Sequence, residues 1–208
     1  MLTDLERQEL KNLFLEHSED GDLYAELERH YTEPQRFYHI FSHLLEMFRL
    51  LRPLESQLEH PEAVFWAVWF HDSIYDPRAS DNEEESAQLA LERLTFLEPE
   101  TLERVSNLIL CTKTHQALEP DGKFLMDADL SILGSSFEAY ANYARAIRKE
   151  YEFVPLELYC AGRITVLERF LGRSRIYQTL EFGARFEAQA RQNLTLERQS
   201  LLEGRLMK

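Results

Sequence analysis

The sequence predicts an all-α fold, a single-domain bundle of about eight to ten helices. Leu, Glu, Ala and Arg abound, while the 208 residues include only seven Gly and seven Pro; this composition favours helices. A hydrophobic content of 44% and a charged content of 29% are typical of a soluble globular domain with a sizeable core. Apolar residues recur at helical spacing, with no convincing hairpin between them. We therefore predict one domain over residues 1–208.

Charge and cysteine usage exclude several classes of protein. A formal net charge of -14 argues against a broad nucleic-acid surface and against attraction to anionic lipid. No uncharged stretch approaches membrane-spanning length, and the acidic first residues lack the apolar core of a signal peptide. Cys111 and Cys160 form neither a disulfide framework nor a Cys-x-x-Cys site. We expect a cytoplasmic protein without a membrane partner, in which an anionic substrate needs a local positive site.

The first 30 residues predict two helices. Thr3 and Glu6 have the spacing of a capping box, and Asp20-Gly21-Asp22 separates the first helix from a second, short one. Pro34 then suits a first helical position. The helix that it opens is predicted to carry Arg36, His39 and His43 along neighbouring rows, since they are three and four residues apart.

The stretch from Ala63 to Phe70 carries no charge and ends in two polar residues, His71 and Asp72. Its composition fits a buried helix or a buried strand, and Pro61 just before it favours a helix. A carboxylate at the end of that helix would face the negative pole of the helix dipole. A bound cation, with His71 as a second ligand, removes this objection. The alternative is that the helix emerges into solvent and Asp72 is hydrated.

The remaining chain predicts further helices separated by capping and turn residues. Ser80 with Glu83 caps one helix, Ser136 caps another, and Pro155 opens a third that Gly172 ends. The other predicted elements are a helix over 101–115, a turn at 120–122, an apolar segment over 124–133 and a final helix from 174 towards 203.

Within the segment 124–133, the two acidic residues Asp127 and Asp129 cannot share one role. On a helix they point about 200° apart, so at most one of them faces a given site. The other is expected at the surface.

Three segments therefore offer metal-type ligands: His39 with His43, His71 with Asp72, and Asp127 with Asp129. A mixed nitrogen and oxygen set suits Mn, Fe, Co, Ni or Zn, or Mg with extra waters, and does not single one out. Such a set leaves coordination positions open for water and substrate, as a hydrolytic site needs. Taken alone, two histidines on an apolar helix face are more often satisfied core residues than metal ligands.

The order His, His-Asp, Asp on helices resembles the HD-domain superfamily of metal-dependent phosphohydrolases. Nearly the whole chain is similar to a bacterial group of predicted HD hydrolases of about this length. The matching stretches are Tyr31 to His39 with His43, Trp69 to Asp72 with Tyr75 and Asp76, Asn82 to Glu84 with Ser86 and Ala87, Asp127 to Leu130 with Ile132 to Gly134, Arg148 to Tyr151, Gly162 with Arg163, and Phe170 with Leu171, Arg173, Ile176 and Tyr177.

The resemblance implies an HD-type all-helical fold, with a metal-site core over 31–134 between N-terminal helices (1–30) and C-terminal helices (135–208). It implies the metal ligands His43, His71, Asp72 and Asp129. Asp129 is preferred over Asp127 because Ala128 to Ser131 looks like the closing motif of the cyclic-nucleotide phosphodiesterase branch. In that branch the first histidine, here His39, protonates the leaving group. Ile40 departs from the Asn usual after it, and Tyr75 stands where some binuclear relatives have another histidine.

These residues lead to the hypothesis of a metal-dependent phosphohydrolase acting on a nucleotide-like or other small phosphoester. The metal would activate a water molecule, and His39 or His115 would donate a proton to the leaving oxygen. Arg36, Lys113 and Arg148 are candidates to hold the phosphate. Lys113 and His115 also suit a helix C-terminus, and Arg148 also suits a solvated helix face.

Two other functional classes stay open from the sequence. One is a metal-binding or ligand-sensing domain of the HD type with little or no turnover, and the other is a helical interaction module without metal. The apolar positions of the terminal helices fit packing within the chain or in a homodimer, and periodicity does not distinguish the two.

Overall fold

The computed structural model describes residues 2–207, which form ten α-helices, two 3₁₀ segments and no β-strand. The all-α prediction and the predicted number of helices are therefore confirmed. The helices are α1 (Asp4–Leu15), α2 (Gly21–Tyr31), α3 (Phe41–Leu51), α4 (Pro61–Phe70), α5 (Asn82–Arg93), α6 (Pro99–Thr112), α7 (Pro120–Asp129), α8 (Phe137–Glu150), α9 (Leu156–Leu171) and α10 (Leu180–Leu202), and the 3₁₀ segments are Arg52–Gln57 and Leu130–Gly134.

The chain divides into two compact units, residues 1–125 and residues 126–208, with the boundary inside α7. The predicted single domain and its division at residues 30 and 134 stay predictions. None of the helices over residues 2–207 combines the length and the apolar character that crossing a membrane requires.

In the first unit, α4 is the central element and packs against α3, α5 and α6. Its residues Trp66, Trp69 and Phe70 are fully buried. Phe14 of α1 contacts both tryptophans edge-on, with ring centroids 5.7 and 5.3 Å apart. Because α4 is apolar on every side, it lies inside the unit, and the polar residues that follow it begin where the core ends.

In the second unit, α10 packs against α9 and against the 3₁₀ segment Leu130–Gly134. Gly134 permits this approach, because a Cβ there would lie 2.5 Å from the Cβ of Phe186 and 2.6 Å from its carbonyl oxygen. Arg163 donates two hydrogen bonds to the buried carboxylate of Glu197, of 2.9 and 3.0 Å, and the hydroxyl of Tyr140 donates to the same carboxylate. The paired charge lets polar groups sit inside the second core.

Several predicted helix starts are confirmed by their caps. Thr3 and Glu6 form the capping box of α1, Asp20 accepts from the first amides of α2, and Ser136 accepts from the amide of Ala139 at α8. Gly172 follows the last residue of α9, as predicted.

The helix predicted to open at Pro34 is wrong in its first turns. Residues 33–40 form turns and bends, and α3 begins only at Phe41. Arg36 and His39 therefore precede the helix that carries His43. Phe37, which a helix opened by Pro34 would direct towards the core, is 42% exposed. The reason is tertiary, since the Arg36 side chain donates hydrogen bonds to the carbonyls that follow α4 and thereby holds this segment in an irregular path.

Three other local predictions are also wrong. Residues 120–122 form the first turn of α7 rather than a loop, and α5 is preceded by Asp81, not by a Ser80 cap. The last helix starts at Leu180, six residues after the predicted position.

Candidate metal centre

The end of α4 is built so that its last carbonyl groups all have side-chain partners. His71 lies against the carbonyl of Val68, with its Nδ1 3.0 Å from that oxygen. The hydroxyl of Tyr31 donates to the carbonyl of Trp69 over 3.0 Å. The hydroxyl of Ser73 donates to the carbonyl of Phe70 over 2.8 Å. These bonds replace the helical partners that a C-terminus lacks and fix the path of the chain through His71 and Asp72.

Three side chains at this point converge through their ligand atoms: His43 from α3, and His71 and Asp72 from the end of α4. The Nε2 atoms of the two histidines are 3.3 Å apart. Nε2 of His71 is 3.1 Å from Oδ2 of Asp72. No two of the three ligand atoms are more than 4.8 Å apart. This is a group that could hold a metal ion.

Two of the three separations match the edges of a coordination polyhedron. Two ligands about 2.1 Å from one ion, at angles of about 90–109°, are roughly 3.0–3.4 Å apart. Both measured short contacts fall in this interval. The two histidines are buried, while 20% of the Asp72 side chain is exposed. The group therefore has a closed side of imidazoles and a side open to solvent at the carboxylate.

The second nitrogen of each histidine determines which lone pairs face the centre. A carbonyl oxygen only accepts hydrogen bonds, so Nδ1 of His71 carries the proton that it donates to Val68. Nε2 of neutral His71 then presents a lone pair. Nδ1 of His43 lies 3.1 Å from the hydroxyl of Tyr38, and the tautomer with a proton on that nitrogen carries its lone pair on Nε2, as His71 does.

Such an arrangement places electron pairs of three atoms opposite one another. When Nδ1 carries the proton in both histidines, the two Nε2 lone pairs 3.3 Å apart and the carboxylate oxygen 3.1 Å from Nε2 of His71 repel one another unless positive charge lies between them. A cation or an added proton supplies that charge. Nitrogen and oxygen donors of this kind suit a divalent transition metal.

The predicted proton donor His39 lies beside this group, although not on α3. Its ring centroid is 6.4 Å from that of His43 and 4.2 Å from that of Tyr75. His115, the other predicted donor, follows the end of α6 and is not a member of the group. It has a φ of 50°, and its amide donates to the carbonyls of Cys111 and Thr112. A left-handed residue there ends the helix.

The candidates for phosphate binding in the first unit have protein partners. Arg36 is buried and donates to the carbonyls of Asp72 and Ser73. Lys113 lies in an exposed pair with Glu84 and also donates to the carbonyl of Ser80 over 2.8 Å. The hydrogen bond with Glu84 raises the pKa of Lys113. Lys113 thus links α6 to α5.

The remaining predicted site residues belong to the second unit. Arg148 donates to the carbonyls of Tyr151 and Val154, which fixes the connection between α8 and α9. Asp129 is partly buried at the end of α7. Burial raises the pKa of Tyr143, and the carboxylates of Glu197 and Asp129 act in the same direction against Arg163. Asp129 as the fourth metal ligand stays a prediction.

Asp127 was expected at the surface, which is wrong. Its carboxylate is fully buried and accepts hydrogen bonds from the amides of Gln178 and Thr179 and from the Thr179 hydroxyl. It thereby anchors the chain that enters α10. Periodicity separated Asp127 from Asp129, but it carries no information on a partner some 50 residues away.

Sequence reasoning gave no role to Tyr38 as the partner of His43, nor to Arg36 at the end of α4. The last carbonyl groups of any helix need hydrogen-bond donors from elsewhere, so the predicted end of α4 indicated that such donors lie nearby. The sequence does not show which donor folds onto them.

Comparisons with protein-family models, with curated proteins and with solved structures gave no match for this chain. The candidate centre therefore rests on its own geometry.

Proposed function

We propose that the chain is a metal-dependent phosphohydrolase acting on a small phosphoester, with His43, His71 and Asp72 as ligands of a divalent cation. The observation that carries this proposal is the convergence of two imidazole nitrogens and a carboxylate oxygen, all within 4.8 Å of one another. The predicted fourth ligand is Asp129.

The chemistry follows from the donor set and from its exposure. A divalent cation held there would lower the pKa of a water molecule and polarise a phosphoryl oxygen. Asp72 is the partly exposed member of the group, so it is suited to orient the attacking water. His39 lies close by with its ring against Tyr75, and in this proposal it gives a proton to the leaving oxygen. A net charge of -14 repels phosphates, and the cation would offset this locally.

One observation favours a second candidate, a metal-binding domain with little turnover. The side chains predicted to hold a phosphate, Arg36, Lys113 and Arg148, direct donors to protein carbonyls or carboxylates. A phosphoester would then depend on the cation and on histidines for its binding.

Metal analysis and turnover test both candidates. Protein purified without chelators should contain about one equivalent of a divalent transition metal by elemental analysis. Loaded with Mn, Co or Ni, it should hydrolyse at least one compound in a panel of phosphomonoesters and phosphodiesters. Asp72→Asn should lose the metal and the activity, whereas Asp76→Asn, with the same change of charge four residues later, should retain both.

Three outcomes separate the possibilities. Metal with turnover supports the hydrolase. Stoichiometric metal that depends on Asp72, without turnover across the panel, supports the second candidate and contradicts the first. Absence of bound metal, even after addition of the ion, contradicts both.

A further inference from the structure

Arg36 forms a three-sided contact at the end of α4. Its Nη1 donates to the carbonyl of Asp72 over 2.5 Å, and its Nη2 donates to that of Ser73 over 2.9 Å. Its Nε donates to the carboxylate of Glu33 over 2.9 Å. The guanidinium side chain is wholly buried, with its carbon 5.2 and 5.5 Å from the ring centroids of Tyr31 and Tyr75.

These bonds join two segments that carry candidate site residues. Nη1 also approaches the carbonyl of His39 at 3.4 Å. One guanidinium therefore fixes the segment 33–40, which presents Tyr38 and His39, against the residues that follow α4. Its planar fork can address two successive carbonyls and a carboxylate at once, which the single ammonium of a lysine cannot do with the same geometry.

The contact also resolves an electrostatic problem at Asp72. The C-terminus of α4 carries partial negative charge, and the Asp72 carboxylate adds to it. The buried cation of Arg36 lies against this helix end and offsets part of that charge. The metal ion that we expected for this purpose is thus not the sole compensation.

We infer that Arg36 is a positioning residue for the metal group, acting through the main chain of Asp72 and Ser73 rather than by touching a substrate. By holding the Asp72 carbonyl, it sets the direction in which the carboxylate leaves the chain. This inference deepens the proposed function and rests on it. It predicts that loss of the fork weakens metal binding more than it weakens the fold.

The second unit provides a matched control in Arg191. Its Nε donates to the carboxylate of Glu187 over 2.7 Å. Its Nη1 donates to the carbonyl of Leu171 over 3.1 Å, and its Nη2 to that of Arg173 over 2.8 Å, just after α9 ends. Arg191 thus makes the same kind of contact at a helix end that carries no predicted metal ligand.

The test compares Arg36→Lys with Arg191→Lys in the full chain. The dissociation constant of Co²⁺ is measured by titration calorimetry on metal-free protein, together with the visible spectrum of the Co²⁺ form and the melting temperature without metal. We expect Arg36→Lys to raise the dissociation constant at least about tenfold and to change the Co²⁺ spectrum. Arg191→Lys should lower the melting temperature but alter the dissociation constant by less than about twofold.

A milder variant covers the case in which Arg36→Lys does not fold. Glu33→Gln removes the negative charge opposite Nε and leaves both carbonyl contacts possible, so a smaller rise in the dissociation constant, of about two- to fivefold, is expected.

The outcomes keep the two proposals apart. If wild-type protein binds Co²⁺ through Asp72, while the Arg36 and Glu33 variants bind it as the wild type does, Arg36 is only structural and the inference fails alone. If Arg191→Lys weakens Co²⁺ binding as much as Arg36→Lys, the effect is general destabilisation, and the inference again fails. If wild-type protein binds no Co²⁺, the proposed function and the inference both fail.

Discussion

The hydroxyl of Tyr38 and Nδ1 of His43 are 3.1 Å apart, and this contact makes the ring orientation of His43 depend on a neighbour outside α3. Partners of the second imidazole nitrogen fix the tautomer and the basicity of a metal-binding histidine. His71 has a main-chain carbonyl in that position, which substitution of a side chain cannot remove. Tyr38 can be changed, so it offers the cleaner experiment.

Tyr38→Phe should raise the dissociation constant of the divalent cation about tenfold, because His43 loses the partner that orients it. The ring is retained, so the melting temperature of the metal-free protein should change little. Tyr24→Phe is the matched control, since Tyr24 packs on Phe14 in the aromatic core. Calorimetric titration of both variants measures the dissociation constant of the cation. If Tyr38→Phe binds the cation as tightly as the wild type does, the role given to Tyr38 is ruled out.

A second residue-scale prediction concerns His17, whose ring stacks on Phe65 at 3.7 Å. Burial lowers the pKa of His17, while Glu62, Glu16 and Glu55 raise it less. The unfolded chain, with a histidine pKa of about 6.5, then binds a proton at higher pH than the folded chain does. Stability is therefore lost as the pH falls through about 6.5 towards the lower folded pKa.

His17→Phe should remove this loss while keeping the stacked ring. The free energy of unfolding, measured with urea at about pH 7.5 and about pH 5, should fall less for the variant than for the wild type. Carboxylates titrate in both proteins, so the difference between the two slopes is the quantity that matters. Parallel slopes would show that His17 contributes nothing to the acid sensitivity.

At the scale of elements, long-range carboxylates hold the starts of helices. Asp121 of α7 accepts the amides of Glu59 and His60 over 2.8 Å each, just before α4 begins. Asp127 does the same for the amides of Gln178 and Thr179 before α10. Burial raises the pKa of Asp127, against these hydrogen bonds, which lower it. Both carboxylates are buried, and the amides that they accept from are part-buried.

Asp127→Ala should lower the free energy of unfolding by about 2–4 kcal/mol, since it removes the buried acceptor of two part-buried amides and a hydroxyl. Asp4→Ala, at an exposed position in the first turn of α1, should cost less than about 0.5 kcal/mol. Urea unfolding of both variants tests this. A similar small cost for the two would mean that water replaces the Asp127 carboxylate.

Elements whose signals are local could be predicted from the sequence. The capping box at Thr3 and the Ser136 cap each involve residues within three positions of one another, and both helices start where expected. The all-α class follows in the same way, because composition and periodicity are properties of the chain itself.

The rest depended on contacts that are distant in sequence. Residues 33–40 lack helical structure because Arg36 contacts carbonyls 36 and 37 residues ahead. The same holds at the candidate centre. The grouping of His43 with His71 and Asp72 was predicted, because the order of ligand residue types is visible in the sequence. The partners that orient these side chains were not predicted, because they depend on how α3 and α4 pack.

For the molecule as a whole, the net charge of -14 is the dominant property. Excess carboxylates attract divalent cations without any specific site, so a general response to added metal is not informative. Specific binding must be judged against a variant that lacks one ligand and keeps the rest of the surface.

We expect a divalent transition metal at about 100 times its dissociation constant to add about 2.7 kcal/mol to stability. This corresponds to a rise of about 5–10 °C in melting temperature for a chain of this size. The rise belongs to the transition that includes residues 1–125, which contain the three grouped ligands. Scanning calorimetry with and without metal measures it. Asp72→Asn should abolish the rise, and an equal rise in that variant would assign it to surface carboxylates.

The hydrogen bonds from the amides of Glu59 and His60 to the Asp121 carboxylate have a consequence for synthesis on the ribosome. All three grouped ligands have been translated once residue 72 is added. The Asp121 carboxylate, which fixes the start of α4, is synthesised about 50 residues later. Helices α5 and α6, which cover α4, also follow residue 72. Because domains are synthesised from the N-terminus at about 5–20 residues per second, the nascent chain displays two histidines and an aspartate for some seconds before their scaffold closes. A cation bound as proposed would therefore be captured only after α7 has been synthesised.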